Sequence, residues 1–179
     1  MKIHIFGASG SGVTTLGKQL SETVRIPYFD SDDYFWEQTF PAFTLEREPD
    51  LRNRMLTNDL QQHTHWILGG SMYVWGCTPD FDLVVFLWVP QDIRIDRLSN
   101  REYARYGESI YTDPLRKRLF HEFIEWAKGY DSGYTHASSR TMAAHELWIS
   151  RLTCPVLEIR GDTTLSSRIG IISNKLHTL

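Results

Sequence analysis

The chain has 179 residues, of which 41% are hydrophobic and 23% are charged, and its formal net charge is −3. These values are typical of one soluble globular unit and argue against nucleic-acid binding through overall charge. The longest apolar run, Leu83 to Pro90, is too short to span a bilayer, and Met1-Lys2 runs straight into a strand pattern without a leader-like segment. Cys77 and Cys154 form no C-x-x-C pair, so we expect a reduced, cytoplasmic protein. From the net charge and the short apolar run we expect no nucleic-acid or membrane partner.

Short β-branched and aromatic runs alternate with helical segments along the chain. The predicted strands are Ile3–Phe6, Ile26–Phe29, Trp66–Leu68, Leu83–Val89 and Val156–Ile159. The predicted helices are Thr14–Val24, about Glu48–Gln62, Asp92–Ala104, Leu115–Lys128, about Ser139–Leu152 and Leu165–Leu176. This alternation predicts an α/β fold, with a parallel sheet covered by helices on both faces and ligands bound beyond the carboxyl ends of the strands.

A glycine-rich segment follows the first predicted strand and opens the first helix. It reads Gly7-Ala8-Ser9-Gly10-Ser11-Gly12-Val13-Thr14-Thr15. Glycines let backbone N–H groups turn inward around an anion, and a helix N-terminus adds its positive dipole end. The spacing fits the phosphate-binding pattern G-x-x-x-x-G-K-[ST] at every fixed position except one, where Val13 replaces lysine.

Acidic residues follow the second predicted strand, in the run Asp30-Ser31-Asp32-Asp33. Two carboxylates two positions apart can divide their work, one holding a metal ion and one orienting a hydroxyl group. The same run is also typical of a helix N-cap, because Asp and Ser are preferred there. The sequence leaves both interpretations open.

Arginines recur after the fourth strand, at Arg94, Arg97, Arg101 and Arg105. Their spacing predicts one helix face, and arginine forks match phosphate oxygens. The following segment, Tyr103 to Pro114, has the composition of a mobile loop, so the region suits a closing lid. A solvated helix face is the alternative interpretation.

Together these residues resemble the adenylate-kinase-like group of P-loop kinases. The matching segments are Gly7 to Thr15, Asp30-x-Asp32, Gly69-Gly70, Val85 to Pro90 with Arg97 and Arg101 after it, and Arg160-Gly161-Asp162. Asp30 to Trp36 looks most similar to the adenylate-kinase-related branch often labelled topology modulation. The resemblance implies a three-layer P-loop sandwich with strand order 2-3-1-4-5, formed by residues 1–179 as a single domain with a lid around 94–118. It also implies Mg²⁺-ATP as donor of a γ-phosphoryl group to a hydroxyl or phosphate of a small-molecule or nucleotide acceptor.

The resemblance also assigns roles to individual positions. Nucleotide binding falls to Gly7, Ser9, Gly10, Ser11, Gly12, Val13, Thr14 and Thr15, with Arg160 to Thr163 near the adenine. Thr14 and Asp30 would hold Mg²⁺, Asp32 would take or orient the acceptor hydroxyl, and Arg97 and Arg101 would neutralise the transferred phosphoryl group. Arg52 or Arg54 would reach an acceptor anion. The acceptor itself is not identified; Tyr34, Trp36, Tyr73 and Trp75 suit its pocket or, alternatively, the core.

Val13 keeps two other classes of protein open. The missing lysine favours a nucleotide-binding regulator without catalysis, since that lysine normally bridges the β- and γ-phosphates. The pattern Gly7-x-x-Gly10-x-Gly12, with Asp30 after the second strand, is also typical of an NAD(P)-dependent oxidoreductase. The chain has no Tyr-x-x-x-Lys pair of the kind that short-chain dehydrogenases use.

Overall fold

The computed structural model describes residues 1–73, 75–133 and 140–178. The strands are β1 (Lys2–Gly7), β2 (Tyr28–Asp30), β3 (Trp66–Gly69), β4 (Leu83–Trp88) and β5 (Val156–Arg160). The helices are α1 (Val13–Val24), α2 (Ser31–Phe35), α3 (Pro49–Gln61), α4 (Gln91–Tyr106), α5 (Ser109–Thr112), α6 (Pro114–Ser132), α7 (Met142–Ile149) and α8 (Leu165–Leu176). No helix within these ranges is both long enough and apolar enough to cross a membrane.

The strands form one parallel sheet in the order β2-β3-β1-β4-β5. This confirms the predicted fold class and strand order. The order also speaks against the dinucleotide-binding alternative, because that fold has the order 3-2-1-4-5-6 and pairs its first strand with its second. Here β1 pairs with β3 and β4 instead.

Alternate residues of β1 enter two separate hydrophobic layers, as the period of two in a strand requires. Ile3 and Ile5 pack on one face with Leu16 and Leu20 of α1. Phe6 packs on the other face in the cluster that contains Trp148 of α7. The sheet is therefore covered on both sides, and only its ends are open to a ligand.

The segment Tyr103–Pro114 is mostly helical, so its prediction as a loop was wrong, while the lid role stays a prediction. Gly107, at φ 58°, ends α4, and the short helix α5 follows almost at once. Ile110 in α5 is buried, which fixes this turn of chain to the protein. Asp113 then caps α6 by accepting a hydrogen bond from the backbone N–H of Arg116 at 2.8 Å, with proline at the first helical position.

Other predicted boundaries move by a few residues. Strand β2 begins at Tyr28 rather than Ile26, and helix α4, which was predicted to end at Ala104, continues to Tyr106. The helix predicted over about 139–152 is α7, Met142–Ile149. Its predicted start at Ser139 lies outside the described residues.

Candidate functional site

Glycine is required at the loop between β1 and α1. Gly10 and Gly12 have φ values of 82° and 92°, in the left-handed region that favours glycine. At Gly7 a Cβ atom would lie 2.3 Å from the backbone oxygen of Leu87. The loop therefore packs closely on the end of β4 while keeping a tight curve above β1.

The first turn of α1 presents free donors. Its first intrahelical hydrogen bond runs from the N–H of Leu16 to the oxygen of Gly12, at 2.9 Å. The amides of Val13, Thr14 and Thr15 precede that bond and have no acceptor within the helix. Gly12, the N-cap residue, has no side chain to satisfy them. This arrangement suits an anion such as a phosphate group.

Asp30, at the end of β2, is hydrogen-bonded to the first turn of α1. Its Oδ2 atom accepts hydrogen bonds from the hydroxyls of Thr14 and Tyr28, both at 3.0 Å. Its Oδ1 atom accepts from the backbone N–H of Asp32 at 3.1 Å, so Asp30 is the N-cap of α2. The capping interpretation therefore holds for Asp30, and the side chain of Asp32 is left for another role.

Asp32 lies on a cavity of about 830 Å³ beside the glycine loop, and its side chain remains accessible to solvent there. The surrounding protein removes part of its hydration and raises the pKa of the carboxyl group. Arg140 opposes that increase, Asp30 and Asp33 add to it, and Arg101 opposes it more weakly. A carboxylate with raised proton affinity thus faces the space next to the phosphate-type loop.

Four arginines of α4 form what we call the arginine stripe: Arg94, Arg97, Arg101 and Arg105. They lie in three environments, of which that of Arg94 is buried and that of Arg101 and Arg105 is the cavity. Arg94 is fully inaccessible, donates from Nε to the backbone oxygen of Val89 at 3.0 Å, and forms an ion pair with Asp131. Its guanidinium also lies 5.2 Å from the ring centre of Tyr130. Arg94 therefore fastens α4 to α6 and does not reach the cavity.

Arg97 and Arg101 point to different places. Arg97 donates to a carboxylate oxygen of Asp162 at 2.6 Å and weakly to the backbone oxygen of Gly10 at 3.4 Å. Arg101 lines the cavity, with Phe123 5.6 Å from its guanidinium and Glu102 at 3.4 Å. The two predicted phosphoryl-neutralising residues thus have different surroundings, and of the two it is Arg101 that shares the cavity with Asp32.

The lining of the cavity is also aromatic and cationic. Arg52 is buried, with its guanidinium 4.6 Å from the ring of Phe35 and 5.0 Å from the ring of Trp75. The aromatic side chains that line the same cavity include Trp36, Tyr73, Phe120, Phe123 and Trp126. Of the residues predicted for an acceptor pocket, Trp36 and Tyr73 line it, whereas Tyr34 and Trp75 are core residues and Arg54 is exposed elsewhere.

The predicted adenine contact, Arg160, ends β5. Its side chain donates to Glu158 at 2.8 Å and to Glu146 at 3.3 Å. Its binding role stays a prediction.

A buried polar chain that the sequence did not indicate reaches the cavity at Ser71, just after β3. Ser71 Oγ lies 2.9 Å from Nε2 of His145, and Nδ1 of His145 lies 2.8 Å from the hydroxyl of Tyr130. His145 is fully buried, and burial, with Arg140 and His4, lowers its pKa to about 3. Ser71 and His145 are 74 positions apart, so no local pattern joins them.

A parallel sheet in this order, with a glycine loop between its central strand and the first helix, defines the P-loop NTPase fold. Residues 3–114 match the family described as AAA domain, and the chain belongs to that family. It is 42% identical over 169 residues to "Uncharacterized protein YqaC" of Bacillus subtilis strain 168, a match that covers 93% of this chain and 92% of the relative. A cytidylate kinase of Desulfurococcus amylolyticus is 24% identical over 139 residues, covering 69% of this chain and 75% of that enzyme.

Solved kinase structures share the architecture. A deoxyadenosine kinase of M. mycoides with bound dATP superimposes with a TM-score of 0.58 at 15% identity and covers 99% of both chains. A shikimate kinase of Bacteroides thetaiotaomicron gives a TM-score of 0.56 at 20% identity, covering 99% of this chain and 98% of the other. At these identities the likeness shows the fold alone.

Proposed function

We propose that the protein is a phosphotransferase that moves the γ-phosphoryl group of ATP to a hydroxyl or phosphate of a small-molecule or nucleotide acceptor. One observation carries the proposal. A single cavity is lined by Ser9 and Thr14 of the glycine loop, by Asp32, and by Arg101. Phosphate-binding donors, a candidate base and a cation thus border the same space, as positioning and charge stabilisation require in phosphoryl transfer.

In this mechanism the amides that begin α1 bind the phosphates of the nucleotide. Thr14 and Asp30 fit Mg²⁺, because their oxygens meet at 3.0 Å and hard cations prefer oxygen ligands. When bound, that ion supplies positive charge to the phosphate oxygens. Asp32 accepts the hydrogen bond, and then the proton, of the acceptor hydroxyl. Arg101 offsets the negative charge on the transferred group from the acceptor side.

Arg97 has a different place in the proposal. Its ion pair with Asp162 puts it beside the segment Arg160 to Thr163, which the family resemblance assigns to the adenine. We therefore assign Arg97 to the nucleotide side of the loop and leave the phosphoryl-neutralising role to Arg101.

The acceptor side of the cavity favours a flat ring with an anionic group. Aromatic side chains offer faces on which a ring can stack. Arg52 supplies a positive charge that its two aromatic neighbours hold in place. Cytidylate, deoxyadenosine and shikimate are useful acceptor probes, since similar proteins are named as kinases of these three compounds.

Calorimetry with ATP, ADP, NAD and NADP, each with and without Mg²⁺, tests the nucleotide part. We expect ATP and ADP to bind, with affinity for ATP increased by Mg²⁺, because the donors at α1 match phosphate. Tighter binding of NAD or NADP would contradict the proposal. A coupled ADP-release assay with the three acceptor probes then separates a kinase from a regulator without catalysis, which binds ATP and transfers nothing. The regulator remains the second candidate because Val13 leaves the usual lysine position without charge.

The polar chain at Ser71 gives a second prediction. Within the described part of the chain, the buried hydroxyl of Tyr130 has one polar partner, Nδ1 of His145. Since a buried O–H without an acceptor is costly, Tyr130 donates to Nδ1. The neutral imidazole then carries its proton on Nε2 and donates to Ser71, whose own hydroxyl proton is directed to the cavity.

We therefore expect Ser71→Ala to raise the KM of the acceptor about 10-fold while the affinity for ATP changes little, because one hydrogen bond to the acceptor is lost. Steady-state kinetics and calorimetry measure the two quantities. Nitrogen NMR of His145 provides a control that needs no acceptor. An Nδ1–H tautomer in the wild-type protein would show that the hydrogen bonds run in the opposite direction, with His145 donating to Tyr130 and Ser71 donating to His145.

A further inference from the structure

Arg168 of α8 contacts the glycine loop and is not among the residues that line the cavity. Its Nη1 atom donates to the backbone oxygen of Ser11 at 2.7 Å, and its Nε atom donates to the hydroxyl of Thr163 at 2.8 Å. A Cβ atom at Gly12 would lie 3.1 Å from the same Nη1 atom. The guanidinium is thus packed directly against the residue that begins α1.

The charge of Arg168 is buried and lacks a direct counter-ion. Its exposed fraction is 4%, and within residues 1–73, 75–133 and 140–178 it forms no ion pair with a carboxylate. Burial, and then Arg97, lowers the pKa of its guanidinium, whereas Asp162 opposes the change. A desolvated positive charge of this kind strengthens the binding of an anion near it, because the surrounding medium screens their attraction less than water does.

The peptide group between Ser11 and Gly12 connects this charge to the inner side of the loop. A trans peptide is planar, and its C=O and N–H bonds point in opposite directions. Because Arg168 bonds the Ser11 oxygen, the N–H of Gly12 points away from Arg168. A cation on the oxygen polarises the peptide and makes that N–H a stronger donor.

We propose that Arg168 replaces the charge that Val13 leaves out, holding the nucleotide phosphates through the Ser11–Gly12 peptide from behind the loop. The proposal rests on the nucleotide-binding part of the proposed function. It makes Arg168 a positioning residue for the phosphate site, and it explains how a loop with an apolar residue at position 13 retains affinity for a polyanion.

Calorimetry with ATP on four variants tests this role. R168Q should weaken ATP binding about 10-fold, the lower end of what a charge-assisted contact contributes, because the charge acts through a peptide rather than directly. R168K should retain most of the affinity. K175Q is the matched control, since it removes one positive charge from the same helix, two turns away, and should leave ATP affinity unchanged. The double variant V13K/R168Q should regain the affinity that R168Q loses.

The outcomes are distinguishable. If the wild-type protein binds no ATP, the proposed function fails and this inference fails with it. If the wild type binds ATP and R168Q binds it equally well, the inference is wrong. If R168Q is weaker and V13K does not restore binding, Arg168 only shapes the loop, and the charge role is wrong. Should V13K/R168Q fail to fold, as judged by its melting temperature, the comparison of R168K with R168Q decides: equal loss in both contradicts the proposal.

Discussion

Asp32→Asn should lower turnover with ATP and acceptor about 10²-fold or more, while the affinity for ATP changes little. The substitution keeps the shape of the side chain and removes its ability to take a proton. Asp32 faces the cavity, whereas the capping of α2 is done by Asp30. The free energy of unfolding should therefore stay nearly constant, and the loss should appear in kcat.

The pH dependence gives the same prediction a second test. The partial loss of hydration beside the cavity raises the pKa of Asp32, and the deprotonated form is the one that accepts the hydroxyl proton. The rate, measured as kcat/KM, should therefore rise as the pH increases through a pKa higher than that of an ordinary aspartate. Asp32→Asn should remove this acid limb from the residual activity.

Asp33→Asn is the matched control for the same experiment. Asp33 is next to Asp32 in the first turn of α2, borders the same cavity and also has a raised pKa because of burial. We expect its substitution to change turnover by much less than that of Asp32. A large loss in Asp33→Asn with none in Asp32→Asn would move the base to Asp33, and unchanged turnover in both variants would mean that neither carboxylate acts as the base.

Much of the fold follows from local patterns. The strand at Leu83 to Trp88 is apolar throughout because both of its faces are covered, and the glycine spacing after β1 permits one kind of turn. The contact between Thr14 and Asp30 was predictable too, since two parallel strands end at the same edge of the sheet. The segment around Ile110 was not, because one buried side chain decides its helical path and composition does not reveal burial.

Contacts between distant parts of the chain account for the rest of the site. Arg168 and Ser11 are 157 positions apart, and neither residue carries a pattern that indicates the other. Both arginine and serine are ordinary surface residues by type. Their hydrogen bond depends on how α8 packs beside α1, which only the assembled fold determines.

The arginine stripe shows the limit of helical spacing most clearly. Spacings of 3 and 4 place residues on one side of a helix, and Arg94, Arg97 and Arg101 do lie on α4 in that way. Side chains a turn apart nevertheless meet different neighbours, because α4 starts against α6 and ends over the cavity. Substitution of Arg94 should therefore lower stability, whereas substitution of Arg101 should lower turnover.

Arg94→Gln should destabilise the protein by about 3 kcal/mol, near the lower end of the loss for breaking a buried ion pair. The lower end applies because the side chain of Asp131 is 25% exposed and water can partly solvate it. The substitution also shortens the donor that reaches the backbone oxygen of Val89. Urea unfolding measures the change, and folded Arg94→Gln should retain most of its turnover and ATP affinity.

Arg101→Gln is the contrasting variant on the same helix. The side chain of Arg101 is 43% exposed, and its ion pair with Glu102 has a long distance of 3.4 Å. The free energy of unfolding should therefore change by no more than about 0.5 kcal/mol. Turnover should fall about 10- to 100-fold, because a charge-assisted contact to the transferred group is lost. Equal stability losses in the two variants would mean that α4 acts as one structural face. A loss of turnover in Arg94→Gln alone would contradict the assignment of the phosphoryl-stabilising charge to Arg101. The structure does not account for that outcome, because the guanidinium of Arg94 is buried and does not line the cavity.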